Sequence, residues 1–309
     1  SSAASDVYKR QLQDYKGKGY FEAGFYKNLC VNTPYRDFLK EQFGEVLETI
    51  PGDGVWYDAA FMNECCCPTC QKLMREQGLN PAVKEDRQEF ARWTYYDMVR
   101  DLTAFAKSYN ASFHVCYNKG HVGYLDKPVI DDYSYFSFES LPGVEWGYMD
   151  FPVSAKYMRN FGKECLGLTS RFHTEWGDFH AFRNEAAMEY EVFSMLAQGC
   201  KCTIGDQMDY WGKLNKDMYR QIGRVYASVE AKEPWCKEAV PLSEIGVFTA
   251  EEFYATGVAG QIVGASEGTA RILTELGYQF DFIDSTLDFD KYRLLILPDV
   301  IPVDEKLEE

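Results

Sequence analysis

Short apolar segments alternating with amphipathic helical stretches constrain the fold of this chain more than any other feature. Gly54 to Asp58 follows Pro51-Gly52-Asp53 and reads as a buried strand. Ser112 to Tyr117, Tyr133 to Phe138, Leu166 to His173 and Cys200 to Ile204 read the same way. Between them, residues 84–109 place Phe90, Trp93, Met98, Leu102 and Phe105 at helical spacing. A second helix runs from an Asn184 cap to a Gly199 stop, and a third spans Lys216 to Ala231. Strands alternating with helices predict parallel βα units. Five such strands suit the C-terminal part of a (β/α)8 TIM barrel, whose reactive groups sit at the C-terminal strand ends.

The pattern then shrinks. Strands at Ile245 to Phe248, Gln279 to Ile283 and Leu294 to Leu297, with a helix at Ser266 to Leu276, predict a partial flavodoxin-like, doubly wound domain. Charge shifts with it: residues 236–309 carry 5 basic and 15 acidic side chains, residues 1–235 carry 27 and 33. The boundary is therefore expected between a barrel portion, 12–235, and a tail, 236–309. Residues 1–11 look like a translated sequencing adapter rather than part of the fold. The chain stops at Glu309, just past a buried-looking strand, so the sequence predicts a fragment open at both ends that aggregates or stays inactive alone.

With 46% hydrophobic and 26% charged residues the composition is globular. A net charge of −16 without a basic stripe excludes a nucleic-acid partner. No stretch reaches the roughly 18 apolar residues of a membrane span. No apolar leader segment is visible, and the expected location is a bacterial-type cytoplasm.

Carboxylates close three of the strands. Period-2 alternation puts Gly54, Trp56 and Asp58 on one face. A carboxylate beside an aromatic platform suits sugar chemistry; by spacing alone, a loop-capping aspartate is the commoner reading. Glu139 closes a second strand, ahead of Trp146-Gly147-Tyr148. Glu175, followed by Trp176, closes a third and is the runner-up acid/base, with a salt bridge to Arg171 or Arg183 as its structural alternative.

Val55-Trp56-Tyr57-Asp58 resembles the Trp-Phe-Asp-Gly strand of family 29 α-L-fucosidases, and Phe138-Glu139-Ser140 with Trp146-Gly147-Tyr148 resembles their Trp-Glu-x-Cys…Trp-Gly-Tyr segment. Phe193 to Gly205 is similar to their last barrel helix and strand. Ala59 stands where that family has Gly, and Phe138 where it has Trp. Overall, residues 20–235 resemble hypothetical glycosyl hydrolase 6 barrels and the related family 151 fucosidases more closely. The resemblance implies a retaining glycosidase acting on a glycoside, oligosaccharide or polysaccharide. Asp58 would be its nucleophile, Glu139 its acid/base, and Trp56, Trp146, Tyr148 and Trp176 its sugar-facing walls. No cofactor is expected for catalysis. His173 and His180 read as structural or loop histidines.

The 10 cysteines read mostly as reduced thiols, with Cys116, Cys200 and Cys202 in the core. Cys65, Cys67 and Cys70 form C-x-C-x-x-C, which fits either a tetrahedral zinc site or unliganded packing. Leu29-Cys30-Val31-Asn32-Thr33-Pro34-Tyr35-Arg36 and this cluster resemble segments of family 42 β-galactosidases, some of which bind structural zinc there. That resemblance implies Cys30, Cys65, Cys67 and Cys70 as ligands, with Cys66 spare.

Family 42 also supplies the rival activity, a β-galactosidase. Its Asn-Glu acid/base pair is missing from the strand ending at Asp58, and Asn63-Glu64 comes five residues later. The tail, Ser243 to Glu309, resembles the trimerisation domain of that family, related in fold to class I glutamine amidotransferases. It implies a homotrimer and an assembly role. The non-enzyme alternative is a carbohydrate-binding or assembly protein on a retired barrel.

Overall fold

The computed structural model describes residues 12–16, 28–143, 146–173, 176, 178, 181–254 and 264–308. The chain is a mixed α/β protein whose strands pair in parallel. Contacts divide it into two compact units.

The first unit takes the described residues up to Tyr117, with Lys127–Ser134. It contains α1 (Tyr35–Thr49), β1 (Gly54–Tyr57), α2 (Pro68–Glu76), α3 (Lys84–Tyr109) and β2 (His114–Tyr117). β1 and β2 pair from Gly54 opposite His114 to Tyr57 opposite Tyr117. Gly54 is required there, because a Cβ would lie 2.2 Å from the His114 carbonyl oxygen. Tyr57 and Tyr117 stack with centroids 5.0 Å apart, and the Tyr117 hydroxyl donates to Val99 O on α3 at 2.8 Å. That face is covered by helix. Trp56 points the other way and is 41% exposed.

The second unit takes Asn118–Asp126, Tyr135 to Tyr254, and the described residues from Gly264 on. In order it contains β3 (Phe136–Glu139), α4 (Asp150–Met158), β4 (Cys165–Ser170), α5 (Glu185–Ala197), β5 (Lys201–Gly205), α6 (Lys216–Glu230) and α7 (Glu233–Cys236). There follow β6 (Ile245–Phe248), α8 (Glu251–Tyr254), α9 (Gly264–Glu275), β7 (Phe280–Ile283), β8 (Leu294–Ile296) and α10 (Glu305–Glu308). The strands form two sheets, ordered β3-β4-β5 and β7-β6-β8.

Register gives the first of these sheets two unlike faces. Phe136, Phe138, Gly167, Thr169 and Ile204 share one, packed under helices. Phe138 meets Phe151 of α4 at 5.2 Å, and a Cβ on Gly167 would strike Met195 of α5 at 2.5 Å. Ser137, Glu139, Leu166, Leu168, Ser170, Thr203 and Gly205 share the other, polar toward its C-terminal end.

The expected border at 235/236 lies inside this unit, since α4 binds the tail sheet directly. The Tyr157 hydroxyl donates to Asp284 Oδ2 at 2.6 Å, Arg159 Nε to Asp281 Oδ1 at 2.8 Å, and Asn160 Nδ2 to Phe282 O at 2.9 Å.

The Asn184 cap is present, accepting from the Ala186 N–H at 2.9 Å, and Gly199 ends α5 with φ 80°. β4 stops at Ser170, short of the expected His173, because the following residues turn away as bends. The sequence left α1, α2 and α4 unmarked. In α4 every residue from Phe151 to Met158 is buried, so no amphipathic period exists to be read.

Candidate active site and cysteine cluster

Glu139 is the last residue of β3, on the polar face. Asn118, directly after β2, donates from Nδ2 to Glu139 Oε1 at 3.1 Å, and Trp176 donates from Nε1 to Oε2 at 3.4 Å. The Glu139 backbone N–H donates to Gly120 O at 3.1 Å, and a parallel bridge joins Lys119 to Phe138. Segment 118–120 thus runs along β3 and fixes the carboxylate. One N–H donor meets each carboxylate oxygen. Ser170 lies on the same face at the end of β4. Its Oγ is buried and has no hydrogen-bond partner among the described residues, which leaves a polar group for water or a ligand to satisfy.

Three of the aromatics expected to contact sugar are placed by neighbours in this unit. Trp146 lies against Gly120, where a Cβ would come 2.6 Å from its ring. Trp176 covers Gly205 in the same manner, at 2.5 Å, while reaching Glu139. Tyr148 is half exposed and packs edge-on against Tyr190 of α5 at 5.2 Å. Its described ring contact is therefore with a helix rather than with Glu139. The runner-up Glu175 and His180 lie outside the described residues. The cations offered as Glu175 partners have carboxylates of their own: Arg171 pairs with Asp206 at 2.7 Å, and Arg183 pairs with Glu191.

Burial pushes Glu191 up to about 7 against the opposing pull of Thr169 and Arg183. Such a carboxylate invites an acid/base reading. It belongs to α5 and meets Thr169 on the helix-covered face, away from Ser170 and Glu139, so it is a buried structural pair.

Asp58 belongs to the first unit and Glu139 to the second. Asp58 follows β1, is exposed, and accepts from the Ala59 N–H through Oδ1 at 2.9 Å. Ala59 has φ 55°, in the left-handed region that favours glycine. That conformation accounts for the Gly of the resembling strand motif at this position. Asn63-Glu64 is in the loop beyond, where Glu64 accepts from Arg87 Nε at 2.9 Å.

The cysteines converge within the first unit. The sulfurs of Cys30, Cys65, Cys67 and Cys70 all lie within 4.8 Å of one another, and all four residues are buried. Cys30 Sγ is 3.4 Å from Cys70 Sγ and 3.8 Å from Cys67 Sγ. Cys67 caps α2 and Pro68 starts it, so the first helical turn presents Cys70 beside the cap. Two N–H groups already point at sulfur: Cys67 N toward Cys65 at 3.5 Å and Asn32 Nδ2 toward Cys70 at 3.4 Å.

Contacts with Cys30, Cys65 and Cys70 hold the Cys67 thiol far below its usual range, while Cys65 and then Cys67 push Cys30 up, and Cys30, Cys65 and Cys67 push Cys70 up. Cys65 is also pulled below its usual range, first by its contact with Cys30. Cys65 and Cys67 thus go down while Cys30 and Cys70 go up, and a cation is what would ionise all four. Zinc–sulfur bonds of about 2.3 Å set tetrahedral sulfurs about 3.8 Å apart, so this quartet could hold a metal such as zinc. Cys66 stands outside it, its thiol pushed up to about 11 by burial.

Solved structures share the fold of the chain. The chain superposes on α-L-fucosidase isoenzyme 2 from Paenibacillus thiaminolyticus with a TM-score of 0.90 and 33% identity, over 99% of this chain and 47% of that one. Its close structural neighbours are glycoside hydrolases. Among them, the β-galactosidase of Bacillus circulans sp. alkalophilus gives a TM-score of 0.71 at 14% identity, over 96% of this chain and 55% of that one. The β-galactosidase of Marinomonas ef1 gives 0.72 at 10%, over 100% and 61%. At those identities the β-galactosidases share the fold alone. The chain spans about half the length of these proteins. No family model matches the sequence, and no curated protein matches it. Among the described residues, no helix is long and apolar enough to cross a membrane.

Sequence reasoning missed Asn118, His121 and Ser170. Asn118 and Ser170 occupy strand ends like Asp58 and Glu139, and counting amides and hydroxyls there would have found them. His121 had no local signal, because its partners are distant in sequence.

Proposed function

We propose that this chain carries part of the catalytic apparatus of a retaining glycoside hydrolase, α-L-fucosidase-like in its substrate. One observation carries the reading: the likeness to a fucosidase at 33% identity runs through a sheet face that ends in Glu139, held by Asn118 and Trp176. On this reading β1–β5 are strands of a (β/α)8 barrel and β6–β8 part of a doubly wound assembly domain of a homotrimer. Asp58 attacks the anomeric carbon while Glu139 protonates the leaving oxygen. Glu139 then deprotonates water to release the sugar. Glu139 must be protonated for the first step and ionised for the second, so loss of its proton sets the alkaline limit of activity. Trp56, Trp146, Tyr148 and Trp176 give rings for the apolar faces of sugars, and the buried Ser170 hydroxyl gives a partner for a sugar hydroxyl. The four cysteines hold a structural zinc that joins the Cys30 segment to α2. Four thiolates leave it no open position for substrate.

The test is azide rescue in the full gene product that carries this chain, with aryl α-L-fucosides and aryl β-galactosides as substrates. Asp58→Ala is expected to lose turnover and, with azide, to yield a glycosyl azide of inverted anomeric configuration. Glu139→Ala is expected to yield the retained one. The opposite pair of outcomes would exchange the two roles. Wild-type turnover in both variants would refute the site.

A further inference from the structure

The loop that presents Asn118 to Glu139 is held from the C-terminal segment. Lys119 and Asp126 close the loop with an ion pair at 2.6 Å, and Asp126 accepts from the Gly123 N–H at 2.9 Å. Inside it, His121 Nδ1 shares a hydrogen bond with Ser154 Oγ of α4 at 2.7 Å. Its Nε2 meets both oxygens of Glu251, at 3.1 and 3.2 Å. Glu251 Oε2 also accepts from the Tyr124 N–H at 3.0 Å.

Glu251 opens α8, immediately after the Thr249-Ala250 turn that follows β6, and is 6% exposed. Gly123 makes room for it: a Cβ there would sit 2.2 Å from Glu251 Oε2 and 2.4 Å from His121 Nε2. Two donors of the loop, His121 and the Tyr124 N–H, therefore converge on one carboxylate more than 120 residues away in sequence, and Gly123 leaves the space for it.

We propose that Glu251 is a positioning residue for Glu139: it clamps loop 118–126 through His121 and the Tyr124 N–H, and the clamped loop holds Asn118 on the Glu139 carboxylate. The proposal rests on the glycosidase reading of Glu139 and gives the C-terminal segment a part in the site itself, beyond assembly.

The charges around the clamp support a fixed ion pair. Burial pushes the His121 imidazolium down, but the charge of Glu251 and its hydrogen bond prevail and the net direction is up. Burial likewise raises Glu251, and His121, the Tyr124 N–H and Lys119 together pull it below the usual carboxylate range. Asp150 of α4 faces the same pair, pushed up to about 6 by burial, with Glu267 of α9 beyond it. Glu252 and Asp284 face Tyr124. Against this excess of carboxylates, Lys119 and the His121 imidazolium are the cations of the cluster among the described residues.

The experiment is a double-mutant cycle in the full gene product, read as the pH profile of kcat/KM on an aryl glycoside. Glu139→Gln first identifies the limb that Glu139 controls. Asn118→Ala removes an N–H donor and is expected to move that limb up by about one pH unit. Glu251→Gln and Gly123→Ala are each expected to move it the same way. In the Asn118→Ala background, either clamp variant is expected to add no further shift.

Gly123→Ala changes no ionisable group, so it separates displacement of the clamp from loss of its charge. Hydrogen exchange on residues 119–124 provides a second readout, with protection expected to fall at least tenfold in both clamp variants. A clamp effect that persists in full in the Asn118→Ala background overturns the proposal, as does unchanged exchange in both variants. A Glu139→Gln variant with the wild-type profile refutes the glycosidase reading instead, and the exchange data then report on the loop alone. If Glu251→Gln does not fold, Gly123→Ala carries the cycle.

Discussion

Replacing one cysteine of the quartet tests the zinc site with a control built into the same loop. Cys67→Ser takes away the sulfur that the other three thiols address, while Cys66→Ser changes a neighbour that is equally buried but outside the quartet. Against the tetrahedral spacing of about 3.8 Å, the 3.4 Å Cys30–Cys70 separation needs to open by about 0.4 Å, the 3.8 Å Cys30–Cys67 separation already fits, and the others, within 4.8 Å, need to close by at most about 1 Å. Metal therefore binds a nearly formed site. At a free zinc concentration 1,000 times the Kd, binding stabilises the native state by about 4 kcal/mol. Cys67→Ser forfeits that amount. Cys66→Ser costs about 1–3 kcal/mol, the cost of burying a hydroxyl, and keeps the metal. The assay is metal content per chain by mass spectrometry, cobalt(II) absorption for a thiolate-to-metal band, and urea unfolding with and without a chelator. One zinc per chain is expected in the wild type and in Cys66→Ser, and none in Cys67→Ser. Metal retained in Cys67→Ser, or a wild type with no metal and no response to the chelator, would refute the reasoning.

Two further outcomes are expected. Ala59→Gly relieves a left-handed residue, worth roughly 1–2 kcal/mol, against roughly 0.5–1 kcal/mol of added unfolded-state entropy. The urea midpoint should therefore rise, and a fall would remove the strain argument at this turn. The His121–Glu251 pair contributes stability fully below the ordinary histidine value of about 6.5 and loses it as pH rises through the raised native value. Glu251, held low, adds stability above the ordinary carboxylate value of about 4.3 and loses it as pH falls. The stability gap between wild type and His121→Gln is thus expected to be widest between those values and to shrink as pH rises through the raised native value of His121. A gap that is flat with pH would show an uncharged pair.

The parallel βα order was legible because strands and helices announce themselves by period, cap and stop: Asn184, Gly199 and the apolar stripe of residues 84–109 are local signals. Asp58 and Glu139 were legible as strand-end carboxylates, and the cysteine quartet by its spacing and its likeness to a known motif. Helix α4 was not, because burial on all sides erases the stripe that marks a helix. Glu191 shows the opposite failure: a buried carboxylate with a raised pKa looks functional until register puts its contact, Thr169, on the helix-covered face of the sheet.

By itself the sequence determined the parallel βα order, the strand ends at Asp58 and Glu139, and the grouping of Cys65, Cys67 and Cys70, since each depends on neighbours within a few residues or on a compact motif; Cys30 came only from likeness to a known family. Only the tertiary structure decided what holds the site. Asn118 and Trp176 on Glu139, and Glu251 beside His121, join residues from separate elements. Hydrogen bonds between groups this far apart in the chain depend on how sheets and helices pack, and no local period encodes that packing.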